Sequence, residues 1–194
     1  MIIGFTGRIA AGKETIKHFL VEKGFVYMET SQVLKDELSR RGMELTRKNM
    51  QDLGDELRAK DGNGALMKLV LEKIDYSNNK DKHFILDSLR NAGEADYLRE
   101  HADDFVLIAV DAPQQMRFER MLSRGKPHDP KTWEEFLIID NRDYFDETNP
   151  HGQQVRDCMA CADFLIVNDG DISSSIKEIE RIWVEIEKRK SFNN

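Results

Sequence analysis

The stretch that decides the fold is Gly7-Arg8-Ile9-Ala10-Ala11-Gly12-Lys13-Glu14-Thr15, close to the start of the chain. It fits the pattern G-x-x-x-x-G-K, in which a glycine-rich loop holds phosphate groups. The apolar stretch before it is typical of a buried strand, and Ile16, Phe19 and Leu20 after it have the spacing of one helix face. This order places free backbone N–H groups and the positive end of a helix dipole around one point, which suits a polyphosphate. We therefore expect the loop residues to bind nucleotide phosphates, with Lys13 reaching the β- and γ-phosphates.

The residue after this lysine departs from the pattern. The usual Ser or Thr supplies a hydroxyl to Mg²⁺, but the chain has Glu14, and the side chain of Thr15 points about 100° away around the helix. A carboxylate is a good ligand for a hard cation, but it also adds negative charge beside a triphosphate. Three possibilities stay open: Glu14 binds the metal directly, the metal is held through water, or nucleotide binding is weak.

Length and composition predict one globular domain, residues 1–194, with a hydrophobic content of 40% and a charged content of 34%. No apolar run approaches the roughly 20 residues that span a bilayer, and no signal peptide is visible. A net charge of −7 argues against general nucleic-acid binding. We expect a cytoplasmic protein with no membrane or nucleic-acid partner, and its oligomeric state is left open.

Short apolar segments alternate with amphipathic helical patterns along the chain. This alternation predicts a five-stranded parallel sheet with helices on both faces, an α/β/α sandwich. Residues 29–75 form a predicted helical acceptor-binding region, residues 125–150 a predicted lid with one helix, and residues 191–194 a loose tail. Ligands of such sheets lie at the carboxyl ends of the strands.

The third predicted strand ends in Asp87-Ser88-Leu89-Arg90-Asn91. An acid after an apolar strand, in a chain with a phosphate loop, is typical of the Walker-B-type ligand of Mg²⁺. Arg90 stands nearby as a fork-shaped donor for an anionic phosphate. The alternatives are an N-cap for Asp87 and a solvated surface position for Arg90.

Arginines cluster before and within the predicted lid. Arg120 and Arg124 are four residues apart and share a helix face, where like charges are unfavourable unless an anion lies between them. The alternative is screening by Glu119 and solvent. Arg142 lies inside the lid segment, and a lid carrying arginines can exclude water and bring charge to a transferring phosphoryl group.

Cys158 and Cys161 form a C-x-x-C motif on a predicted helix. A redox pair or half of a zinc site is conceivable. No second Cys or His pair at ligand spacing accompanies it, so we interpret both as small apolar helix residues.

Together these residues resemble the nucleoside monophosphate kinase group of P-loop proteins, most closely dephospho-CoA kinase and its uncharacterised archaeal and bacterial relatives. Three motifs carry the resemblance, which covers nearly the whole chain: the opening GFTGRIAAGK from Gly4, RMLSR from Arg120, and ADFLIVNDG from Ala162. The resemblance implies that Arg120 stacks near the adenine, that Arg124 holds phosphates, and that Asn168, Asp169 and Gly170 line the base pocket.

The acceptor region departs from both families. Dephospho-CoA kinases carry an acidic pair after the second strand, where this chain has Glu29-Thr30-Ser31, and Gln32 and Lys35 replace the Asp and Arg of the T-G-D-x-x-R motif of nucleoside monophosphate kinases. Glu29 and Asp36 could assist a hydroxyl acceptor. A phosphate acceptor needs only cationic positioning, and the predicted acceptor-binding residues are Thr30, Lys35, Arg47, Arg58 and Arg90.

The sequence thus predicts an ATP- and Mg²⁺-dependent kinase acting on a small phosphate acceptor, a nucleoside or deoxynucleoside monophosphate. Predicted catalytic residues are Lys13, Asp87, Arg124 and Arg142, and predicted metal ligands are Asp87 and Glu14. One alternative is phosphorylation of a hydroxyl, as in dephospho-CoA kinase. Another is a nucleotide-binding regulatory protein with little turnover, which Glu14 favours.

Overall fold

The computed structural model describes residues 1–125 and 129–193. Its centre is a five-stranded sheet whose strands pair in parallel in the order β2-β3-β1-β4-β5. The strands are β1 (Ile2–Gly7), β2 (Val26–Glu29), β3 (Phe84–Asp87), β4 (Phe105–Asp111) and β5 (Phe164–Val167). The predicted parallel α/β sheet is therefore confirmed.

Helices connect the strands. They are α1 (Lys13–Glu22), α2 (Ser31–Arg40), α3 (Arg47–Asp61), α4 (Ala65–Lys73), α5 (Ala92–His101), α6 (Gln114–Arg124), α7 (Trp133–Tyr144), α8 (Val155–Ala160) and α9 (Ile172–Asn193), with a 3₁₀ turn at Tyr76–Asn78. None of these described helices combines the length and apolar character that a bilayer-spanning segment requires.

Two hydrophobic cores lie on opposite faces of the sheet because side chains alternate along each strand. Ile3 and Phe5 of β1 pack with α1 and α9 on one face. Ile2 packs on the other face, with side chains from α2 to α5 and with Cys158 of α8. Because both faces of the sheet are covered, a ligand can reach the sheet only at the ends of its strands, and ligands of such folds bind at the carboxyl ends. This end of the sheet is called its carboxyl edge below.

The strand register brings the functional segments to this edge. Phe5 of β1 lies opposite Asp87 of β3, which in turn lies opposite Glu29 of β2. Gly7 lies opposite Val110 of β4. The phosphate loop, the acid after β3 and the start of the acceptor region therefore meet at one end of the sheet.

Some element ends differ from the sequence prediction. The sequence pattern predicts this helix over Glu94 to His101, but α5 begins at Ala92 because the side chain of Asn91 accepts a hydrogen bond from Gly93 N (3.0 Å) and caps the helix. α9 continues to Asn193, so the loose tail predicted from residue 191 is wrong as far as the described residues extend. Residues 126–128 of the predicted lid lie outside the described residues.

Candidate functional site

A cleft of about 1360 Å³ opens at the carboxyl edge of the sheet. It collects most of the predicted site residues, namely Gly7, Arg8, Ile9, Ala10, Ala11, Gly12, Lys13, Glu14, Thr30, Lys35, Arg47, Arg58, Asp87, Arg90, Arg120 and Arg124. It does not include Thr15, Arg142, Asn168, Asp169 or Gly170. The structure therefore brings the loop, the acid after β3 and the acceptor-side cations to one cavity.

Two glycines of the phosphate loop are required by its shape. Gly7 has φ +134°, and a Cβ there would lie 1.9 Å from the carbonyl oxygen of Val110. Gly12 has φ +99°, and its Cβ would lie 2.0 Å from Nδ2 of Asn168. Any larger residue would combine a strained backbone with a severe clash, so the loop conformation depends on both glycines.

The loop is held from behind by Arg120 and Asn168. Both donate to the carbonyl oxygen of Ala11, at 3.3 Å from Arg120 Nη1 and 2.9 Å from Asn168 Nδ2. Oδ1 of Asn168 accepts from Arg120 Nη2 (3.2 Å) and from Ser175 Oγ (2.9 Å). These contacts use both polar atoms of the buried Asn168 side chain, so the side chain braces the loop. Contact of Asn168 with a base stays a prediction.

The other residues predicted at the base pocket lie partly inside and partly outside the cleft. Arg120 lines the cleft while it braces the loop. Asp169 and Gly170 are exposed after β5 and lie outside the cleft. Their contact with a base stays a prediction.

Lys13 and Asp87 both line the cleft, and their opposite charges interact there. Lys13 is half-buried and makes no hydrogen bond or ion pair with the described residues. Burial lowers the pKa of Lys13, Arg90 and Arg124 lower it further, and Asp87 opposes the shift. The lysine charge is therefore desolvated, close to other cations and available to an anion.

Asp87 has one occupied and one free oxygen. Its Oδ2 accepts a hydrogen bond from the hydroxyl of Tyr27 at 3.0 Å. Its Oδ1 is buried and has no hydrogen-bond partner. A buried carboxylate oxygen without a donor costs free energy, and Mg²⁺ prefers oxygen ligands of this kind. Asp87 therefore fits the metal of a nucleotide complex.

Tyr27 is a site residue that the sequence analysis missed. Its ring lies 4.6 Å from Nζ of Lys17, and its hydroxyl holds Asp87. Burial and then the neighbouring Asp87 raise the pKa of Tyr27, so the hydroxyl stays a proton donor. Tyr27 reaches Asp87 because β2 pairs with β3 in the sheet. Which strands pair is not visible from the sequence of either strand.

Glu14 is turned towards solvent. Its side chain is 67% exposed and forms an ion pair with Lys17, and Nε2 of His18 lies 3.5 Å away. It lines the cleft, but the lysine one turn along α1 offsets part of its charge. Direct metal binding by Glu14 stays a prediction that requires its carboxylate to leave Lys17.

Helix α7, which lies in the predicted lid, is joined to the phosphate loop through the buried Asp140. Its carboxylate forms ion pairs with Arg117 of α6 (2.9 Å from Nη2 to Oδ2) and with Arg8 of the loop (3.1 Å from Nε to Oδ1), and Gln114 adds a bond of 3.1 Å. The ring of Tyr144 lies 3.9 Å from Cζ of Arg8. The Arg8 side chain is therefore engaged by the lid.

Burial of Asp140 acts against its ionisation, but the hydrogen bonds from Arg117 and Arg8 outweigh burial and lower its pKa. The carboxylate stays charged and keeps α6, α7 and the loop together. The sequence analysis missed this residue because one acid in an amphipathic helix carries no sign of its partners.

The two lid-associated arginines lie in different places. Arg124 lines the cleft and pairs with Asp129 through two bonds of 2.6 and 2.8 Å. Arg142 lines a separate, smaller cleft together with Asp146 and Asn149. The structure therefore does not bring Arg142 to Lys13 and Asp87, because it lies on another face of α7 from Asp140.

Three of the predicted acceptor-binding residues are engaged by the protein itself. Arg58 is buried and donates to Glu94 Oε1 (3.1 and 2.8 Å) and to the carbonyl oxygen of His151 (3.2 Å). Lys35 pairs with Glu29 at 2.9 Å. Thr30 Oγ1 donates to the carbonyl oxygen of Asp87 at 2.8 Å. Arg58 in particular has no free side-chain nitrogen, which makes it a support of the cleft wall.

The remaining two acceptor-side arginines differ. Arg47 of α3 pairs with Asp143 of α7 at 2.8 Å and so connects the predicted acceptor region to the predicted lid. The guanidinium of Arg90 makes no hydrogen bond or ion pair with the described residues, although it lines the cleft. Arg90 is therefore ready to receive an anion.

The cysteine pair lies outside the cleft. Cys158 is buried in the core and Cys161 is half-buried. A hydrogen bond from Cys158 lowers the pKa of Cys161 to about 6, and Arg99 acts in the same direction. Among the described residues no group of three potential metal ligands is present. Cys158 fits the expected small apolar residue, whereas Cys161 favours a thiolate.

Comparison with known proteins places this geometry in a family. A family described as AAA domain matches residues 3–156, which include the phosphate loop and Asp87. The chain belongs to this family. A UPF0200 protein of Thermococcus onnurineus is 33% identical to this AAA-domain protein over 171 residues, which cover 87% of the chain and 89% of the relative.

Solved structures agree on the architecture. The AAA-domain protein matches TT1252 from Thermus thermophilus with a TM-score of 0.60 and 18% identity, over 95% of the chain and 97% of its counterpart. It matches the dephospho-CoA kinase of Campylobacter jejuni with a TM-score of 0.56 and 15% identity, over 97% and 98%. At these identities the likeness shows the fold alone. The predicted P-loop kinase-like fold is confirmed, and that fold implies nucleotide binding.

Proposed function

We propose that the protein is a phosphotransferase that uses ATP and Mg²⁺ to phosphorylate a small phosphate acceptor, a nucleoside or deoxynucleoside monophosphate. One observation carries the proposal: Lys13 and Arg90 have no ionic partner among the described residues, and both line the cleft that holds the free oxygen of Asp87. Unpaired charges in a partly dry cleft are unfavourable unless a ligand of opposite charge completes them.

On the donor side, the chain binds and positions phosphate. The loop between Gly7 and Gly12 presents backbone N–H groups at the N-terminus of α1, and Lys13 adds a desolvated positive charge. Asp87 would hold Mg²⁺ through Oδ1, with Tyr27 fixing its other oxygen. When bound, Mg²⁺ neutralises the charge that develops on the transferring phosphoryl group.

On the acceptor side, Arg90 supports the choice of an anionic acceptor. Its guanidinium can bind a phosphate through two parallel N–H donors. Such an acceptor is already ionised, so it needs orientation and charge neutralisation and no strong base. Arg124, which like Arg90 lowers the pKa of Lys13, would add positive charge near the transferred group.

Phosphorylation of a hydroxyl is the second candidate, and Asp87 is the feature that favours it. Its free Oδ1 could accept the proton of an acceptor hydroxyl. The other acid near this position, Glu29, is already paired with Lys35. A dephospho-CoA kinase shares the fold of this chain, so dephospho-CoA belongs in any acceptor screen.

The experiment is release of ADP from Mg-ATP, measured with a coupled assay against nucleoside monophosphates, deoxynucleoside monophosphates and dephospho-CoA. We expect strong stimulation by a monophosphate and a higher KM for that acceptor in Arg90→Met, with the KM for ATP little changed. Arg181→Met is the matched control, because Arg181 lies on α9 and pairs with Glu178. Stimulation by dephospho-CoA alone would favour the hydroxyl reaction.

No stimulation by any acceptor, together with tight ATP binding in calorimetry, would contradict the kinase proposal. A nucleotide-binding regulatory protein would then be the better description, and Glu14→Ser separates the two cases. If Glu14→Ser turns an inactive protein into an active one, the native chain is a binder. If it abolishes an existing activity, Glu14 supports the metal.

A further inference from the structure

One part of the cleft is lined by four polar side chains, here called the polar wall: Gln51, Asp55, Asp143 and Gln153. These side chains line both the main cleft and the smaller cleft of about 40 Å³ behind it. Gln51 and Asp55 come from α3, Asp143 comes from the lid helix α7, and Gln153 precedes α8. The wall therefore combines residues from α3, from α7 and from the segment before α8.

Two atoms of the polar wall are buried hydrogen-bond acceptors without a donor. Oδ2 of Asp143 accepts from Arg47 Nη2 at 2.8 Å, but its Oδ1 has no partner. Oε1 of Gln153 has none either. Buried polar atoms are almost always paired in folded proteins, and a carboxylate oxygen can only accept. The missing partners are donors.

The polar wall differs in charge from the region around Arg90. Asp55 already accepts from Asn149 Nδ2 (2.7 Å) and lies 3.6 Å from Nη1 of Arg58, so its charge is partly satisfied. Arg47 is held by Asp143. The two carboxylates of the wall are paired with Arg47 and Arg58, so the wall offers no free cation to a phosphate. An anionic acceptor would therefore enter with its phosphate towards Arg90 and its uncharged end towards the wall.

We propose that Asp143 and Gln153 determine which acceptor is used, by accepting hydrogen bonds from donors on its uncharged end. The donors are N–H groups of a nucleobase or hydroxyl groups of its sugar. This inference rests on the proposed function, because the molecule that contacts the polar wall is the one that receives the phosphoryl group. A site that hydrogen-bonds a substrate donor rejects the analogue without that donor, because its own buried atoms are then left unpaired.

The test is calorimetric binding of matched nucleotide pairs to the full chain. GMP is compared with IMP, which lacks the 2-amino group, and AMP with purine riboside monophosphate, which lacks the 6-amino group. Each is also compared with its 2′-deoxy analogue. We expect at least one pair to differ by about tenfold or more in Kd. A difference in Kd between two nucleotides that differ only in a base amino group assigns the donors to the base. A difference in Kd between a nucleotide and its 2′-deoxy analogue assigns them to the sugar.

The same pairs are then measured on Asp143→Asn and Gln153→Leu, which we expect to reduce the Kd ratio of the discriminating pair to about one. Gln153→Leu is the independent variant, because Gln153 forms no hydrogen bond with the described residues, whereas Asp143 also holds Arg47. Asp146→Asn is the matched control, since Asp146 lines the smaller cleft but not the main cleft. It should keep the ratio.

Absence of a donor-dependent difference in every pair, including no binding of any probe, would overturn the proposal. So would a ratio that survives both Asp143→Asn and Gln153→Leu. Calorimetry without ATP needs no turnover, so the inference and the proposed function fail separately. Discrimination without ADP release contradicts the kinase alone, and ADP release without discrimination contradicts the inference alone.

Discussion

At the residue scale, the charged side chains of the cleft divide into paired and unpaired groups. Arg124 is bound by Asp129 and Arg58 by Glu94. Lys13 and Arg90 have no such partner among the described residues. An unmatched charge in a partly buried place reduces stability, so these two positions are better explained by ligand binding than by folding.

Tyr27→Phe should raise the Mg²⁺ concentration required for half-maximal turnover by about tenfold. Loss of a residue that hydrogen-bonds to a metal ligand commonly lowers metal affinity by at least this factor. The change removes only the hydroxyl that donates to Asp87 Oδ2. ADP release measured against Mg²⁺ concentration should show the shift, with kcat at saturating Mg²⁺ little changed. Tyr97→Phe, on α5 against His101, is the control. An unchanged Mg²⁺ dependence would contradict the positioning role.

Cys161 should be alkylated by iodoacetamide at pH 7 much faster than Cys158, because its pKa is lowered to about 6 while Cys158 is buried. The rate should reach half its maximum near pH 6 in a mass-spectrometric assay. Cys158→Ala should move that midpoint to higher pH, since the hydrogen bond from Cys158 is the main cause of the shift. A rate that rises only above pH 8 in the wild type would contradict this environment.

At the scale of elements, two helices depend on buried ion pairs that cross from one element to another. α7 meets the phosphate loop and α6 through Asp140, and α3 meets α5 through Arg58 and Glu94. Removing one partner of such a pair leaves a buried charge, which is more damaging than removing both. Arg58, Glu94 and Asp140 also line the cleft, so these pairs hold in place elements that form it.

Asp140→Asn should lower the free energy of unfolding by about 3 kcal/mol near neutral pH. Because the pKa of Asp140 in the folded state lies below its usual value of 3.8, its contribution is present above pH 3.8 and is lost as the pH falls through the folded value. The free energies of unfolding of wild type and variant, measured in urea, should therefore begin to converge below pH 3.8 and should meet only below the pKa of Asp140 in the folded protein. Asp52→Asn, an exposed partner of Lys48, should show neither effect. A difference that stays constant with pH would contradict this assignment.

Arg58→Met should also destabilise the protein by about 3 kcal/mol, because it leaves Glu94 buried without its cation. Glu94→Gln in that background should recover part of the loss, which thermal unfolding would report. The acceptor KM should change less than in Arg90→Met. Unchanged stability with a raised acceptor KM would instead restore Arg58 to the predicted substrate-binding role.

At the scale of the whole molecule, the fold leaves one edge of a fully covered sheet for the ligand. Two hydrophobic cores stabilise the two faces, and the carboxyl edge gathers charges that oppose stability. The ligand-free protein is therefore less stable than its cores allow, and binding of an anion with a cation should stabilise it.

Mg-ATP at 100 times its Kd should stabilise the protein by about 2.7 kcal/mol, which corresponds to a rise in Tm of roughly 5 to 10 °C for a domain of this size. Lys13→Met should lose most of this rise, while its ligand-free Tm should be equal to or above that of the wild type, since the variant lacks a desolvated charge. Differential scanning calorimetry provides both values. An equal ATP-dependent rise in the variant would contradict the place of Lys13 at the phosphates.

The sequence by itself determined the fold class and the position of the phosphate loop and of the acid after β3 in the candidate site. The glycine loop is recognisable because Gly7 and Gly12 meet local backbone requirements, and the strands are recognisable because each is a short apolar run. The acid after β3 follows from the rule that ligands meet the carboxyl ends of parallel strands. All of these are properties of neighbouring residues.

Only the tertiary structure decided which of the predicted polar residues remain free. Arg58, Lys35 and Asn168 have the same chemistry as free ligand-binding groups, but they are engaged by Glu94, Glu29 and the loop at Ala11. The reverse holds for Tyr27, Asp140, Asp143 and Gln153, whose importance comes from partners, or missing partners, far away in the chain. Pairing depends on the positions of side chains brought together by folding, and a pattern along one chain does not contain those positions.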